Sequence, residues 1–555
     1  MLKKLREITF SDMILLSAIL LVGGFHEYIS CALAMAMSVW LLRRLLRGKK
    51  LVVRKSGVAL AVGAACLFYG LSCFWAVDPG MAFIGFLKFL PAGLYLLCLW
   101  QEEREGCALQ LLPYVGAVTV IVSVAGMYLP VVSRYFFVAD RLAGVFQYPN
   151  TYALFLLVCQ LLVLQKEKRT VWDWLCGFVL IGGLLYTGSR TVFVVAIVAN
   201  GAMLLALSKK KLRVLLLALG AAACVAAVIF AFHENSVIGR YLRFSLTEST
   251  LVGRVLYVVD ALPLIWKHPF GLGYMGYYYT QQSVQTGIYS VAYIHNDFLQ
   301  LFLDVGWLPG ILFAGAMITW FFRKDVTPAR KIIAGAVCLH SLFDFDLQFV
   351  AVLMLLLLLT DTDAKLTEGK KTLPWRVGTA AAAAVCLYMT VTLALGHFGA
   401  YRVSDELYPF NTRNKLTMLE QETDLVKANE LADEILETNT DYFAPYTIKA
   451  QYAYSQGDFG SLIQYKKQVF ERNPFDHTQY EEYAQMLING IALYTQAGDT
   501  ASAGICRQEL LSVPKLLEAN ADRLSALGKR ITDQPVTELS SQLQKQIAQI
   551  GGVAP

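Results

Sequence analysis

Charge is scarce in this chain. Of 555 residues only 16% are Asp, Glu, Lys or Arg, against about 25% in an ordinary soluble domain. Hydrophobic residues make up 56% and the mean hydropathy is +0.50. That balance excludes a typical soluble enzyme, a disordered chain and a nucleic-acid binder working through a basic patch, and it predicts a polytopic membrane protein. Cysteine is present but unpatterned. Ten of the eleven lie in or beside apolar segments, only Cys506 lies in a polar one, and no CxxC spacing occurs. A disulfide framework and a zinc ribbon are thereby excluded, and the thiols read as small apolar side chains. A small-x-small cleavage site is also lacking after Lys3, Lys4, Arg6 and the apolar run from Ile14. That start is expected to be a first membrane helix, not a removed signal peptide.

The net charge of +6 conceals two regions. Residues 1–400 hold 34 Lys and Arg against 21 Asp and Glu, a net +13, whereas 401–555 hold 14 against 21, a net −7. Crossing a hydrocarbon core of about 30 Å takes about 20 apolar helical residues. Apolar runs near 8–25, 28–46, 57–75, 81–100, 108–130, 150–165, 171–187, 191–207, 212–232, 298–322, 330–343, 346–360 and 375–397 give about thirteen spans. With the N-terminus inside, the basic clusters Arg43–Lys55, Lys166–Arg169, Lys209–Arg213, Arg323–Lys331 and Lys365–Arg376 all fall on the inner side. The positive-inside rule is then satisfied and residues from 398 lie outside. The favoured reading has Asp344 and Asp346 split 330–360 into a tight hairpin with both carboxylates at the outer surface, since two carboxylates in mid-membrane are costly; the alternative is one long helix, which would put Lys365, Lys370 and Lys371 outside and the tail in the cytoplasm. The expected domains are a membrane domain, 1–397, with a long outer loop at 233–297, and an extracytoplasmic helical domain, 398–555.

In the latter, Asn439, Tyr446 and Ala450 recur at Asn473, Tyr480 and Ala484, each 34 residues on. That is the period of a tetratricopeptide-like helix-turn-helix repeat, and Gly457-Asp458 sits where such a unit turns. A generic helical bundle is the alternative. Further helices are expected at 423–438, 500–512, 515–529 and 535–549. This domain is expected to bind or position protein partners.

Basic residues are rare on the outer side, so those present stand out. Arg141 precedes a span, Arg190 lies in the turn Thr187-Gly-Ser-Arg-Thr191, Arg254 lies in the outer loop, and Lys88 sits about two turns into the fourth span. Guanidinium there is costly against lipid unless it faces a polar cavity or an anion, and it suits bidentate phosphate contact. Each Arg alone also fits a snorkelling interface residue. His295, beside Asn296 and Asp297 at the membrane boundary, is positioned to act as a general base, though a lone interfacial His is often structural. His340 and Asp344 are one turn apart and could share a helix face. Val255–Trp266, apolar but for Asp260 and too short to span, suits a helix lying in the outer interface. The Gly271, Gly273, Gly276 loop is not a nucleotide fingerprint, as no strand precedes it and no helix clearly follows.

Together these segments resemble the O-antigen ligase and O-antigen polymerase superfamily of bacterial membrane glycosyltransferases. The residues that carry the resemblance are Arg141…Pro149-Asn150, Gly188-Ser-Arg190, Arg254…His268-Pro-Phe-Gly271-Leu-Gly273, His295-Asn296 followed by nine residues and Gly306, and His340-Ser-Leu-Phe-Asp344. The chain departs from ligases at Pro309, and from polymerases in the sixteen residues between Arg254 and Gly271, so both subclasses stay open. The resemblance implies an all-α, GT-C-like membrane architecture of about thirteen helices plus the outer helical repeat domain. It implies transfer of glycan from an undecaprenyl-diphosphate carrier to a glycan, lipid or wall acceptor at the outer face of the bacterial cytoplasmic membrane, in capsular, exopolysaccharide or wall assembly. No metal, other cofactor or nucleic acid is implied. On that reading Arg190 and Arg254, with Arg141, bind the diphosphate, His295 activates the acceptor, and Lys88, Asn296 and Asp344 assist. The rival readings are a flippase of lipid-linked glycan, which would show broken helices, and a membrane-anchored scaffold.

Overall fold

A computed structural model describes residues 7–102, 106–206, 249–361, 366–368 and 372–552. The expected span 212–232, the basic residues Lys209–Arg213 and the first part of the outer loop lie outside the described residues. What is described is all-α apart from two short antiparallel ladders, Val52–Arg54 with Leu366–Glu368 and Phe137–Val138 with Arg141–Leu142. Five described helices are long and apolar enough to cross a membrane: Glu27–Leu46, Gly57–Phe74, Pro79–Gln101, Ala108–Gly126 and Leu373–His397. Shorter apolar helices accompany them at Phe10–Leu20, Pro149–Leu164, Val171–Tyr186, Arg190–Ala206, Trp307–Phe321 and Val350–Thr360. This is the build of a multi-pass membrane protein.

The chain divides into two compact units, each assembled from three stretches. One comprises Met1–Leu71, Ile84–Ser245 and Ile294–Ala394; the other comprises Ser72–Phe83, Leu246–Tyr293 and Leu395–Pro555.

The first unit is organised around Pro149–Leu164, whose sixteen residues are all buried, as befits a helix that is apolar on every side. It packs on Ala108–Gly126 and Val171–Tyr186. Small residues make the approach close: a Cβ added at Gly183 would come within 2.5 Å of the Val120 side chain. Arg190–Ala206 packs on Pro328–Ser341, and Trp307–Phe321 on Gly57–Leu71.

One expectation about spans is corrected here. The run 298–322 is not one helix. It breaks at Gly306 (φ 84°, ψ −171°) into Asp297–Val305 and Trp307–Phe321, because that backbone conformation belongs to glycine alone. The run 330–360 does form two helices, Pro328–Ser341 and Val350–Thr360, parted by residues 342–349. Asp344 and Asp346 are fully buried in that turn.

In the second unit, the expected interfacial helix is Ser249–Lys267. Val255, Val259, Leu262 and Trp266 are exposed along one side of it, while Val252, Leu256 and Asp260, spaced i, i+4, i+8, are buried along another. A helix does follow the glycine loop, Gly276–Val284, so that sequence reading is corrected. Its amphipathic signal is weak because Tyr277, Tyr279 and Thr280 are buried polar side chains. From Tyr401 on, the chain is a run of helices. Ala444–Ser455 packs on Phe459–Arg472, and His477–Gln496 on Thr500–Asp522, with turns at Gly457 and Gly498. The Tyr446 hydroxyl donates to Thr440 O and the Tyr480 hydroxyl to Pro474 O, both at 3.1 Å and both six residues back. The helices expected at 500–512 and 515–529 are one, Thr500–Asp522, running through Pro514. Its buried stripe Cys506, Leu510, Val513, Leu517 continues across the proline, and that apolar burial offsets the lost backbone hydrogen bond.

Candidate functional site

The turn at 342–349 gathers the ionisable groups of the first unit. Asp344 receives the Tyr148 hydroxyl on Oδ1 (2.9 Å) and the Asn150 amide on Oδ2 (2.8 Å). Asn150 Oδ1 in turn accepts from Arg141 Nη2 at 2.7 Å, and Arg141 Nε donates to Thr187 O at 2.7 Å. Thr187 ends the helix Val171–Tyr186, Gly188 turns the chain with φ +62°, and Arg190 opens the next helix. Arg141 and the turn carrying Arg190 are therefore tied together, with Asp344 one side chain away through Asn150.

A second chain of bonds lies alongside. His340 Nδ1 is 2.5 Å from Asp346 Oδ2, and His340 Nε2 is 3.0 Å from the hydroxyl of Thr191, the residue after Arg190. The Thr151 hydroxyl donates to the other Asp346 oxygen at 2.8 Å. With the ring proton on Nδ1 toward the carboxylate, Nε2 accepts from Thr191. The expected sharing of a face by His340 and Asp344 is thus corrected. The helix ends at Ser341, so i, i+4 spacing no longer applies, and the imidazole meets Asp346 instead.

Between these two carboxylates stands Phe345, and aromatic rings surround it. Its centroid is 5.0 Å from the His295 ring, edge to face, and 4.7 Å from the Tyr148 ring. Phe25 lies tilted against Phe349 with centroids 4.7 Å apart, and Lys88 Nζ lies 4.7 Å from the Phe25 centroid. Lys88 is fully buried, an ammonium over a ring face in a water-poor setting, where the cation–π attraction is strongest. His295 is half-buried and has φ +53°. A non-glycine residue in the left-handed region is held there by its surroundings, and such strain clusters at functional sites. Asn296 caps the helix Asp297–Val305, its Oδ1 accepting from Leu299 N at 3.0 Å, while Asp297 Oδ2 accepts from Leu347 N at 2.8 Å. The segment carrying His295 is in this way pinned to the 342–349 turn.

Of the residues singled out in the sequence, Arg141, Arg190, Lys88, His295, Asn296 and Asp344 gather around one turn of the first unit. Arg254 belongs to the second unit, on the helix Ser249–Lys267. Tyr148, Asn150, Thr191 and Asp346 were not assigned from sequence. The available signal was Asn150-Thr151 at the head of an otherwise apolar run, which no local spacing connects to Asp344. Among the described residues no three His, Cys, Asp or Glu side chains gather as a metal site.

Half-buried arginines with buried lysine, imidazole and carboxylate groups, set among long apolar helices, define the class: a multi-pass membrane protein with a polar cluster among its helices. A family model described as O-antigen ligase matches residues 175–314, the segment that holds Arg190, Arg254 and His295. That segment of the chain is similar to O-antigen ligases. No curated protein matches the chain.

Proposed function

We propose that this protein transfers or polymerises an undecaprenyl-diphosphate-linked oligosaccharide at the outer face of the cytoplasmic membrane, in capsular, exopolysaccharide or wall-glycan assembly. The observation that carries this reading is the tie between Arg141, Asn150, Asp344 and the turn bearing Arg190. It fixes the Arg141 guanidinium beside the turn that carries Arg190, among apolar helices, surroundings in which charge stabilisation of a leaving group is large. In the reaction, an acceptor hydroxyl attacks the anomeric carbon, the bond from that carbon to the diphosphate oxygen breaks, and the diphosphate leaves with the electron pair. His295 takes the hydroxyl proton as general base. Arg190 and Arg141 hold the diphosphate, Lys88 adds positive charge, and Asp344 fixes Asn150 and through it Arg141. Arg254 keeps the diphosphate role that the family resemblance gives it. On the same reading the N-terminus is cytoplasmic, about thirteen helices cross the membrane, and 398–555 is an extracytoplasmic tetratricopeptide-like domain that selects acceptor or protein partners. The paired Tyr446 and Tyr480 hydrogen bonds, 34 residues apart, support that repeat.

The test is deletion of the gene with analysis of undecaprenyl-linked glycans, reintroducing wild type, Arg190→Ala and His295→Ala. Single lipid-linked repeat units should accumulate if the protein is a polymerase, and unattached long lipid-linked polymer if it is a ligase. Neither variant should restore transfer although both insert in the membrane. Full rescue by both would remove the site, and unchanged lipid-linked species on deletion would remove the enzyme. A broken helix at Gly306 is a feature expected of a flippase. Retained translocation with loss of His295 would favour that second reading.

A further inference from the structure

The outer-loop helix that carries Arg254 and the end of the chain belong to the same compact unit, and their contact is built with unusual closeness. Asp260, on the helix Ser249–Lys267, accepts from Thr286 N (2.8 Å), from the Thr286 hydroxyl (2.7 Å) and from the Tyr289 hydroxyl (3.0 Å). Thr286 is in turn held by the C-terminal segment. Its hydroxyl lies 2.9 Å from the Ser525 hydroxyl, and its carbonyl accepts from Ser525 N at 3.0 Å. Ser525 Oγ also accepts from Gly528 N at 3.0 Å. The backbones themselves touch. A Cβ at Gly528 would fall 2.0 Å from Thr286 O, and one at Gly287 would fall 2.9 Å from Gly528 Cα and 2.8 Å from the Leu256 side chain. Val252, Leu256 and Ile531 form an apolar core there, with Tyr289 and Leu527 against it.

Val252, Leu256 and Asp260 make one face of the helix, and Arg254 lies between the first two in sequence. The opposite stripe, Val255, Val259, Leu262 and Trp266, is exposed. The buried face of this helix is therefore seated on the 286–289 turn and on residues 525–531. We infer that the C-terminal segment 525–531 is a clamp that sets the position of Arg254, which makes Ser525 and Gly528 positioning residues for glycan transfer. The inference rests on the transfer function proposed above and on the role of Arg254 in it. It gives the C-terminal region a part in the reaction itself, besides any binding of partners.

The experiment uses the full chain in lipid nanodiscs with an undecaprenyl-diphosphate-linked oligosaccharide donor, and reads kcat/KM for donor together with amide hydrogen exchange. Gly528→Val should lower kcat/KM at least about tenfold, in line with the cost of small misplacements of a catalytic group. It should speed exchange in 249–267 and leave 149–164 unchanged. Arg254→Ala added to Gly528→Val should lower the rate no further, since the two changes act on one interaction. Ser525→Ala, which avoids the steric clash, should show the same pattern a few-fold in size, and Ser525→Thr, which keeps the hydroxyl, should restore the wild-type rate. Unchanged exchange in 249–267 in both Gly528→Val and Ser525→Ala overturns the clamp, whatever the activity. Faster exchange with undiminished kcat/KM, or losses that multiply with Arg254→Ala, overturn its role in positioning. Full transfer by Arg254→Ala alone overturns the assignment of Arg254, and with it the clamp's role in transfer; a chain with no transfer at all removes the proposed function while exchange still reports on the clamp.

Discussion

Asp344 carries two hydrogen bonds that asparagine cannot both keep. Tyr148 and Asn150 each donate to one of its oxygens, and an amide offers one acceptor and one donor in their place. Asp344→Asn should therefore loosen Asn150 and, through it, Arg141. Transfer in membranes is expected to fall by about tenfold or more, with protein abundance unchanged on an immunoblot. Asp346 holds His340 in a fully buried pair, so Asp346→Ala leaves an imidazole without its carboxylate. Leaving a buried donor without its acceptor costs about 1–3 kcal/mol, and a drop in the unfolding temperature of the detergent-solubilised protein should follow. Asp344 could be singled out from sequence because a carboxylate in an apolar run is costly anywhere but at a site. Its partners could not be, because Asn150 lies 194 residues away and the helix carrying His340 stops before reaching Asp344.

Helix ends and breaks decide how these residues meet. Gly306 sits at φ 84° between the two helices that follow His295, and a side chain there is strained. Gly306→Ala should cost at least about 1 kcal/mol and lower activity along with thermal stability, both restored toward wild type by no residue other than glycine. The helix Phe459–Arg472 is started by Asp458, which accepts from Ser461 N. Those bonds to Ser461 hold the carboxyl below its usual value. The stabilisation they provide is present above about pH 4 and is lost as pH falls through the depressed folded value. Asp458→Ala should destabilise that helix by about 1 kcal/mol at neutral pH, read as faster amide exchange in 459–472, with the difference from wild type shrinking in acid. The helices themselves were legible in sequence from apolar runs and turn residues. The split at Gly306 was not, because a single glycine in an apolar run does not reveal its backbone angle.

At the scale of the molecule, the second unit brings together segments far apart in sequence. Asp78 accepts from Met81 N at 2.9 Å and from the Asn439 amide at 3.2 Å. Burial pushes its carboxyl above the ordinary value, outweighing these bonds. A folded pKa above the unfolded one means that the native state holds the proton more tightly. The penalty for the buried charge is then present above the folded pKa and relieved as pH falls through it toward about 4. Asp78→Asn should flatten that part of the pH–stability curve relative to wild type. An outer location for 398–555 is tested by Thr500→Cys, an exposed position. A membrane-impermeant maleimide should label it in intact cells, and labelling only after lysis would place the tail in the cytoplasm.

By itself the sequence determined that this is a helical membrane protein and that its basic residues are unevenly distributed. These follow from hydropathy and charge, which are local properties priced residue by residue against lipid and water. Only the tertiary structure decided that Asp344 serves Asn150 and Arg141, that His340 pairs with Asp346 and Thr191, and that Ser525 and Gly528 close on the helix of Arg254. Such pairings depend on which buried polar groups find each other once the helices pack, and a side chain's partner across a bundle leaves no mark in its neighbours along the chain.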